Sequence, residues 1–230
     1  MADIIMNEAE KAALYEKARE QYMDHSTHDN VAAAAAKFEQ LGDYERSAWY
    51  LEKCRQLLTY GVGNVVEFGS YEGKPIRWRV VAERGKLRLL FADDVVARQP
   101  YNTSWTNTYW NTSSLRSWLN HEFLHEAFSR EEQMLLVSSI IKTGPNPVYG
   151  TFGGSDAMDK VFLFSIDEVQ QYLPTDEDRA TGTWWWTRTP GMSLVTDLSI
   201  YEDGTLYQAG ININYEEGGV RPAVWVLLKV

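Results

Sequence analysis

At Tyr60-Gly61-Val62-Gly63 the pattern of the chain changes, and this change constrains the fold more than any other feature. Before it, small and aromatic residues recur at helical spacing: Ala12, Ala13, Tyr15, Ala18, Arg19 and Tyr22 mark one helix. A second helix is expected over Val31–Leu41, capped by Asp29 or Asn30 and stopped by Gly42. A third is expected over Tyr44–Leu58, capped by Asp43. After the boundary the pattern becomes alternating. Ile76, Trp78 and Val80 interleave with Arg77 and Arg79, as in a half-buried antiparallel strand. The expectation is an α+β chain with two parts, a helical module over 1–60 and a sheet domain over 61–230.

Within the second part, strands are predicted over 65–70, 75–83 and 86–92, punctuated by Gly73 and Gly85. A polar aromatic loop, Tyr101 to Thr112, leads into a helix near 114–128. Ser129 with Glu132 forms a capping box for another helix near 130–137. Val161 to Phe164 reads as a buried strand, 166–173 as a helix, and Asp203-Gly204 as a hairpin turn. The two helices should pack on a twisted antiparallel sheet. Trp110, Leu115, Trp118, Phe123, Val161, Leu163, Trp225 and Val226 should be mostly buried.

Charge and cysteine content narrow the function. The net charge is −10, and neither part is basic: seven Lys/Arg face eleven Asp/Glu in residues 1–60, and fifteen face twenty-one in the remainder. Phosphate-backbone binding needs clustered positive charge, so nucleic acid is not an expected partner. Cys54 stands alone, so no intramolecular disulfide can form. No run reaches the roughly 20 apolar residues of a membrane helix, and the first residues lack a secretory pattern. The expected location is the cytoplasm, with no membrane partner.

Four motifs occur in order: 110–120 (WNTSSLRSWLN), 161–169 (VFLFSIDEV), 185–191 (WWTRTPG) and 219–226 (GVRPAVWV). Together they resemble the bacterial DUF6273 family over about residues 64–230. The resemblance implies a C-type-lectin-like fold, shared with formylglycine-generating enzymes. It also extends to the variable proteins of diversity-generating retroelements, which display a hypermutated C-terminal surface on a constant core. Residues 37–48 are similar to part of a tetratricopeptide-type repeat.

Catalysis is not expected, and neither is a cofactor. His121-Glu122-Phe123-Leu124-His125 matches the zincin pattern, in which two His at i and i+4 hold zinc. Yet Leu115, Trp118, Leu119, Phe123 and Ala127 define the buried stripe of that helix, placing His121 and His125 on its wet side. The remaining His residues, His25 and His28, belong to the helical module. The paired cysteines that the related formylglycine-generating enzymes use are lacking. Trp184-Trp185-Trp186 should bury at least one ring, and Arg188 and Arg221 should pair with carboxylates or stack on indoles.

The expected function is recognition of a protein or other macromolecule, with a homo-oligomer also open. The expected site is one exposed face formed by Ser193, Thr196, Asp197, Tyr201, Tyr207, Asn212, Asn214 and Tyr215. Tyr supplies contact area at small entropic cost, and short polar residues supply hydrogen bonds. Val195, Leu198, Ile211 and Ile213 should face the core. Two alternatives remain: an adaptor acting through the helical module, and a zinc metallohydrolase using the His121/His125 pair.

Overall fold

A computed structural model describes residues 6–24 and 28–229. Three helices come first: α1 (Glu8–Met23), α2 (His28–Leu41) and α3 (Ser47–Thr59). Asn7 and Glu10 close a capping box on α1. Gly42 ends α2 at φ +56°, the left-handed conformation that glycine adopts without strain. The module has an aromatic centre in which Phe38 stacks on Tyr50 at 5.0 Å and Tyr22 meets the same ring edge-on at 5.1 Å. Ala18 and Ala34 are fully buried between the helices.

Two helix starts differ from expectation. The second helix begins at His28, so its cap lies outside the described residues, as does His25. The third begins at Ser47 rather than Tyr44, because Glu45 sits at φ +50° and cannot continue a right-handed helix.

The rest is β-rich. β1 (Val65–Tyr71), β2 (Lys74–Arg84) and β3 (Leu87–Ala92) form an antiparallel meander, followed by β4 (Ala97–Arg98). The next helical run comprises α4 (Ser114–Trp118), a π-turn (Leu119–Phe123) and α5 (Leu124–Ala127). α6 (Arg130–Gln133) follows, then β5 (Ser139–Ile141), β6 (Ala157–Asp159) and β7 (Val161–Leu163). α7 (Ile166–Tyr172) and α8 (Asp176–Arg179) precede β8 (Trp185–Pro190), β9 (Thr196–Ile200), β10 (Leu206–Asn212), β11 (Gly219–Val220) and β12 (Pro222–Leu227). α6 is shorter than the expected 130–137 helix for a specific reason. Val137 donates to the Trp225 carbonyl at 2.9 Å and Leu227 donates to that of Leu135 at 2.9 Å, so this segment is drawn onto β12 as extended chain.

There are two five-stranded sheets rather than the single sheet expected. One has the order β1-β2-β3-β12-β7 and is antiparallel. The other has the order β10-β9-β8-β11-β4, with β11 parallel to β8. β5 and β6 make a separate two-stranded sheet. Ile76, Trp78 and Val80 are buried, as the alternation required. Six of the eight expected core residues are buried, while Trp118 and Trp225 are half-buried.

Arg221 ties the two large sheets together. Its guanidinium packs against the rings of both Phe91 on β3 (4.5 Å) and Trp185 on β8 (4.8 Å) and donates to the carbonyls of Ala92, Asp93 and Arg179. Burial lowers its pKa to about 10, so it remains a cation at neutral pH. The four fully buried tryptophans each donate their indole N–H: Trp78 to Phe68, Trp110 to Asp159, Trp185 to Arg179 and Trp186 to Gln99. Consecutive Trp185 and Trp186 are both sealed because β8 is an interior strand covered on both faces.

The helical module is joined to the first sheet by a buried arginine. Arg88 on β3 donates to the Tyr60 carbonyl at 2.8 Å, just past the end of α3, and to the Gly85 carbonyl at 2.7 Å. Lys53 on α3 reaches the Lys229 carbonyl at 2.8 Å.

Candidate functional site

The expected C-terminal face divides among several places. Asp197 is a correction: it is 1% exposed and belongs to the interior. It pairs with Pro190 on β8 and Ile211 on β10, so neighbouring strands cover it on both sides. Tyr201 and Tyr207 stack on each other at 5.0 Å, beside the β9–β10 turn. Asn212 lies opposite Thr196 at the other end of the same strand pair. Five residues of strand separate Tyr207 from Asn212, roughly 16 Å at strand rise. Tyr215 leaves that line and packs edge-on against Trp184 at 6.0 Å. Of the apolar residues expected inward, Leu198 and Ile213 are buried, while Val195 and Ile211 are half-buried.

Ser193 Oγ lies 3.4 Å from Thr196 Oγ1, and Thr196 pairs with Asn212 across β9 and β10, beside a larger feature made of loops. Thr108 donates to the Leu194 carbonyl at 2.9 Å, tying loop 102–109 to loop 191–195. Ile213 is held between them, its carbonyl accepting from Asn102 at 2.8 Å and its N–H donating to Val195 at 3.2 Å. A third loop, 143–154, adds itself through Asn146. This side chain is 1% exposed and spends all its capacity. Its Nδ2 donates to the carbonyls of Pro190 (2.8 Å) and Gln208 (2.9 Å), and its Oδ1 accepts from Val148 (2.9 Å) and Tyr149 (3.0 Å). Gly153 closes this loop: a Cβ there would stand 2.3 Å from the Thr143 carbonyl oxygen. Phe152 then meets Tyr109 edge-on at 6.1 Å.

These loops present large apolar side chains to solvent. Trp105 is 61% exposed, Val148 60%, Tyr149 49%, Phe152 65% and Met192 57%. Single exposed hydrophobics are ordinary, whereas a group on adjoining loops is a mark of contact surfaces. The electrostatics are equally distinctive. Residues 99–115, 143–155, 189–196 and 204–215 contain no Asp, Glu, Lys, Arg or His, in a chain of net charge −10. Charges begin at the borders, with Lys142 and Asp156 paired at 4.0 Å across the base of the third loop.

Two carboxyls are sealed in the interior of the sheet domain, on Asp159 and Asp197. Asp159 accepts from Trp110 and Arg116 (2.7 Å), but burial raises its pKa above the usual carboxylate value. Burial holds Asp197 well above that value, and the neighbouring Tyr101 hydroxyl offsets only part of the effect. Both are walled off from the surface, so neither is placed to exchange protons with a ligand. His121 and His125 are exposed on the helical run, and His121 Nδ1 lies 2.7 Å from the Ser117 carbonyl. The π-turn at Leu119–Phe123 widens the helix there, so the i, i+4 alignment of a regular helix does not hold. Among the described residues no group of three or more His, Cys, Asp or Glu is gathered to hold a metal ion. No helix among them is long and apolar enough to cross a membrane.

The loop face was only half visible in the sequence. The aromatic character of 101–112 was evident, but the role of 143–154 was not. The available signal was a Gly- and Pro-rich stretch carrying Val148, Tyr149 and Phe152 with no strand or helix period to bury them.

The structure thus defines an α+β protein, a three-helix module followed by a two-sheet domain whose loops carry an uncharged aromatic face. The profile of the family described as "Domain of unknown function (DUF6273)" matches residues 86–228, more than half of the chain, and the chain belongs to that family. The match begins at β3, leaving β1, β2 and the helical module outside it. No curated protein and no solved structure matches the chain.

Proposed function

We propose that this chain is a non-enzymatic recognition module whose contact surface is the loop face of Trp105, Val148, Tyr149, Phe152 and Met192, bordered by Ser193, Thr196, Asn212 and Asn214. The observation that carries the proposal is that uncharged loops exposing Trp105, Val148, Tyr149, Phe152 and Met192 are joined to one another through the Thr108–Leu194 and Asn146–Pro190 hydrogen bonds and the Tyr109–Phe152 contact, on an otherwise acidic molecule. Loops braced by a rigid scaffold are where binding residues concentrate. The nearby carboxyls are buried and unsuited to acid–base work, and the exposed side chains of the face carry no nucleophile–base pair. The finer reading is a C-type-lectin-like domain related to the variable proteins of diversity-generating retroelements, supported by the order of the four motifs. That reading is tested in the neighbouring DNA, by searching for a reverse transcriptase and a near-copy of the C-terminal codons.

Site-specific photocrosslinking tests the recognition function. A photoreactive residue at Phe152 should give a discrete, saturable adduct in extract of the native cell. Excess unlabelled protein should compete it away, and a Trp105→Ser/Phe152→Ser protein should not. An equal or stronger adduct from a photoreactive residue at Trp49, on the helical module, would favour the adaptor reading instead.

A further inference from the structure

We infer that the partner of this face is a protein surface that is itself apolar and uncharged, an inference that rests on the recognition function proposed above. The first ground is electrostatic. A charge brought against Trp105, Phe152 or Met192 would be stripped of water, and none of the four surrounding segments holds a counter-charge to receive it. Anionic membranes, phosphorylated peptides and nucleic acid would each need Arg or Lys that the face does not have.

The second ground is the state of the polar groups around the rings. Thr196 Oγ1 donates to the Ser193 carbonyl at 3.1 Å and lies 3.4 Å from Ser193 Oγ. Thr108 Oγ1 donates to the Thr106 carbonyl at 2.7 Å. Asn102 binds Ser104 and Ser114, and Asn146 is fully engaged. A sugar ring needs donors and acceptors arranged around it, yet here these groups hold the loops together. What remains outward at the centre is phenyl, indole, phenol, thioether and isopropyl surface, and the exposed amides of Asn107, Asn212 and Asn214 lie in the bordering segments. At roughly 150–250 Å² per aromatic side chain, the exposed parts of Trp105, Tyr149 and Phe152 present on the order of 400 Å², to which Val148 and Met192 add. With a polar rim this approaches the roughly 800 Å² that each partner contributes to a standard interface.

The test uses the full chain and a random dodecapeptide library displayed on phage, panned in parallel on the native protein and on Trp105→Ser/Phe152→Ser. Melting of both proteins is measured first, and Trp105→Gln/Phe152→Gln replaces the serine variant if that fails to fold. Peptides enriched only on the native protein should be rich in aromatic and aliphatic residues and near zero in net charge. Their affinity should change less than about twofold between about 0.05 M and 0.5 M salt, because screening acts only on charge–charge terms. Face-dependent peptides of strong net charge, or a tenfold salt effect, would overturn the inference and leave the recognition function standing. So would face-dependent binding of phosphatidylcholine vesicles or neutral oligosaccharides in place of peptides. Peptides bound equally by both proteins would count against the face itself, and hence against the function proposed for it.

Discussion

Asp197 shows how a single residue can stand against its own environment. Neither carboxyl oxygen makes an aligned hydrogen bond among the described residues, and the nearby Tyr101 hydroxyl lies 3.5 Å from the Arg188 carbonyl. Burial therefore favours the protonated acid and raises the folded-state pKa well above the unfolded value near 4. Between those two values the folded state binds more protons than the unfolded one. Stability from this group is fully present below about pH 4 and falls as pH rises toward the folded-state pKa. Asp197→Asn keeps the shape without the charge. It should melt close to the native protein at pH 4 and above it by about 1–3 kcal/mol at pH 8. Urea denaturation at several pH values checks this, and parallel pH profiles for the two proteins would refute it. Glycine at 218 sets a second constraint at this scale. A Cβ there would lie 1.8 Å from the Trp186 indole nitrogen, whose N–H is already committed to Gln99. Gly218→Ala should cost about 3 kcal/mol or more, seen as a large drop in melting temperature.

Among the elements, those governed by local rules were legible in the sequence. β2 followed from the alternation of Ile76, Trp78 and Val80, the start of α6 from its capping box of Ser129 and Glu132, and the end of α2 from Gly42. Features set by distant partners were not legible. The segment 134–137 reads as helix until β12 takes its backbone, and Asp197 reads as surface until β8 and β10 close over it. The same reason hid the third loop. Asn146 looks like a turn residue in sequence, yet it holds loop 143–154 against the carbonyls of Pro190 and Gln208, 44 and 62 residues away. Asn146→Ala should release that loop. Amide exchange at 148–152 should speed up by about tenfold or more, while the global melting temperature falls only modestly, since the lost bonds brace a surface segment. Unchanged exchange in that loop would show that the clamp is dispensable.

At the scale of the whole molecule, the helical module and the sheet domain meet at a small collar, with Arg88 holding the Tyr60 carbonyl and Lys53 holding that of Lys229. A three-helix bundle of this length has a small core, in which Tyr22 and Phe38 pack on Tyr50. Residues 1–60 alone should therefore lack a sharp cooperative melt by circular dichroism, and a cooperative transition at high temperature would show the module to be independent. The loop face lies on the sheet domain, so recognition should survive changes to the module that leave the fold intact. The most direct measurement of the central claim is calorimetric binding of the crosslinked partner to three variants, each with its melting temperature: Trp105→Ser/Phe152→Ser, Tyr201→Ser/Tyr207→Ser and Tyr215→Ser. The first should lose binding by at least about 100-fold while melting like the native protein, because exposed side chains contribute little to stability. The other two should bind within a few-fold of native. Loss of binding in the Tyr201/Tyr207 variant, with the Trp105/Phe152 variant binding normally, would contradict that claim and move the site to the turn of the β9–β10 hairpin.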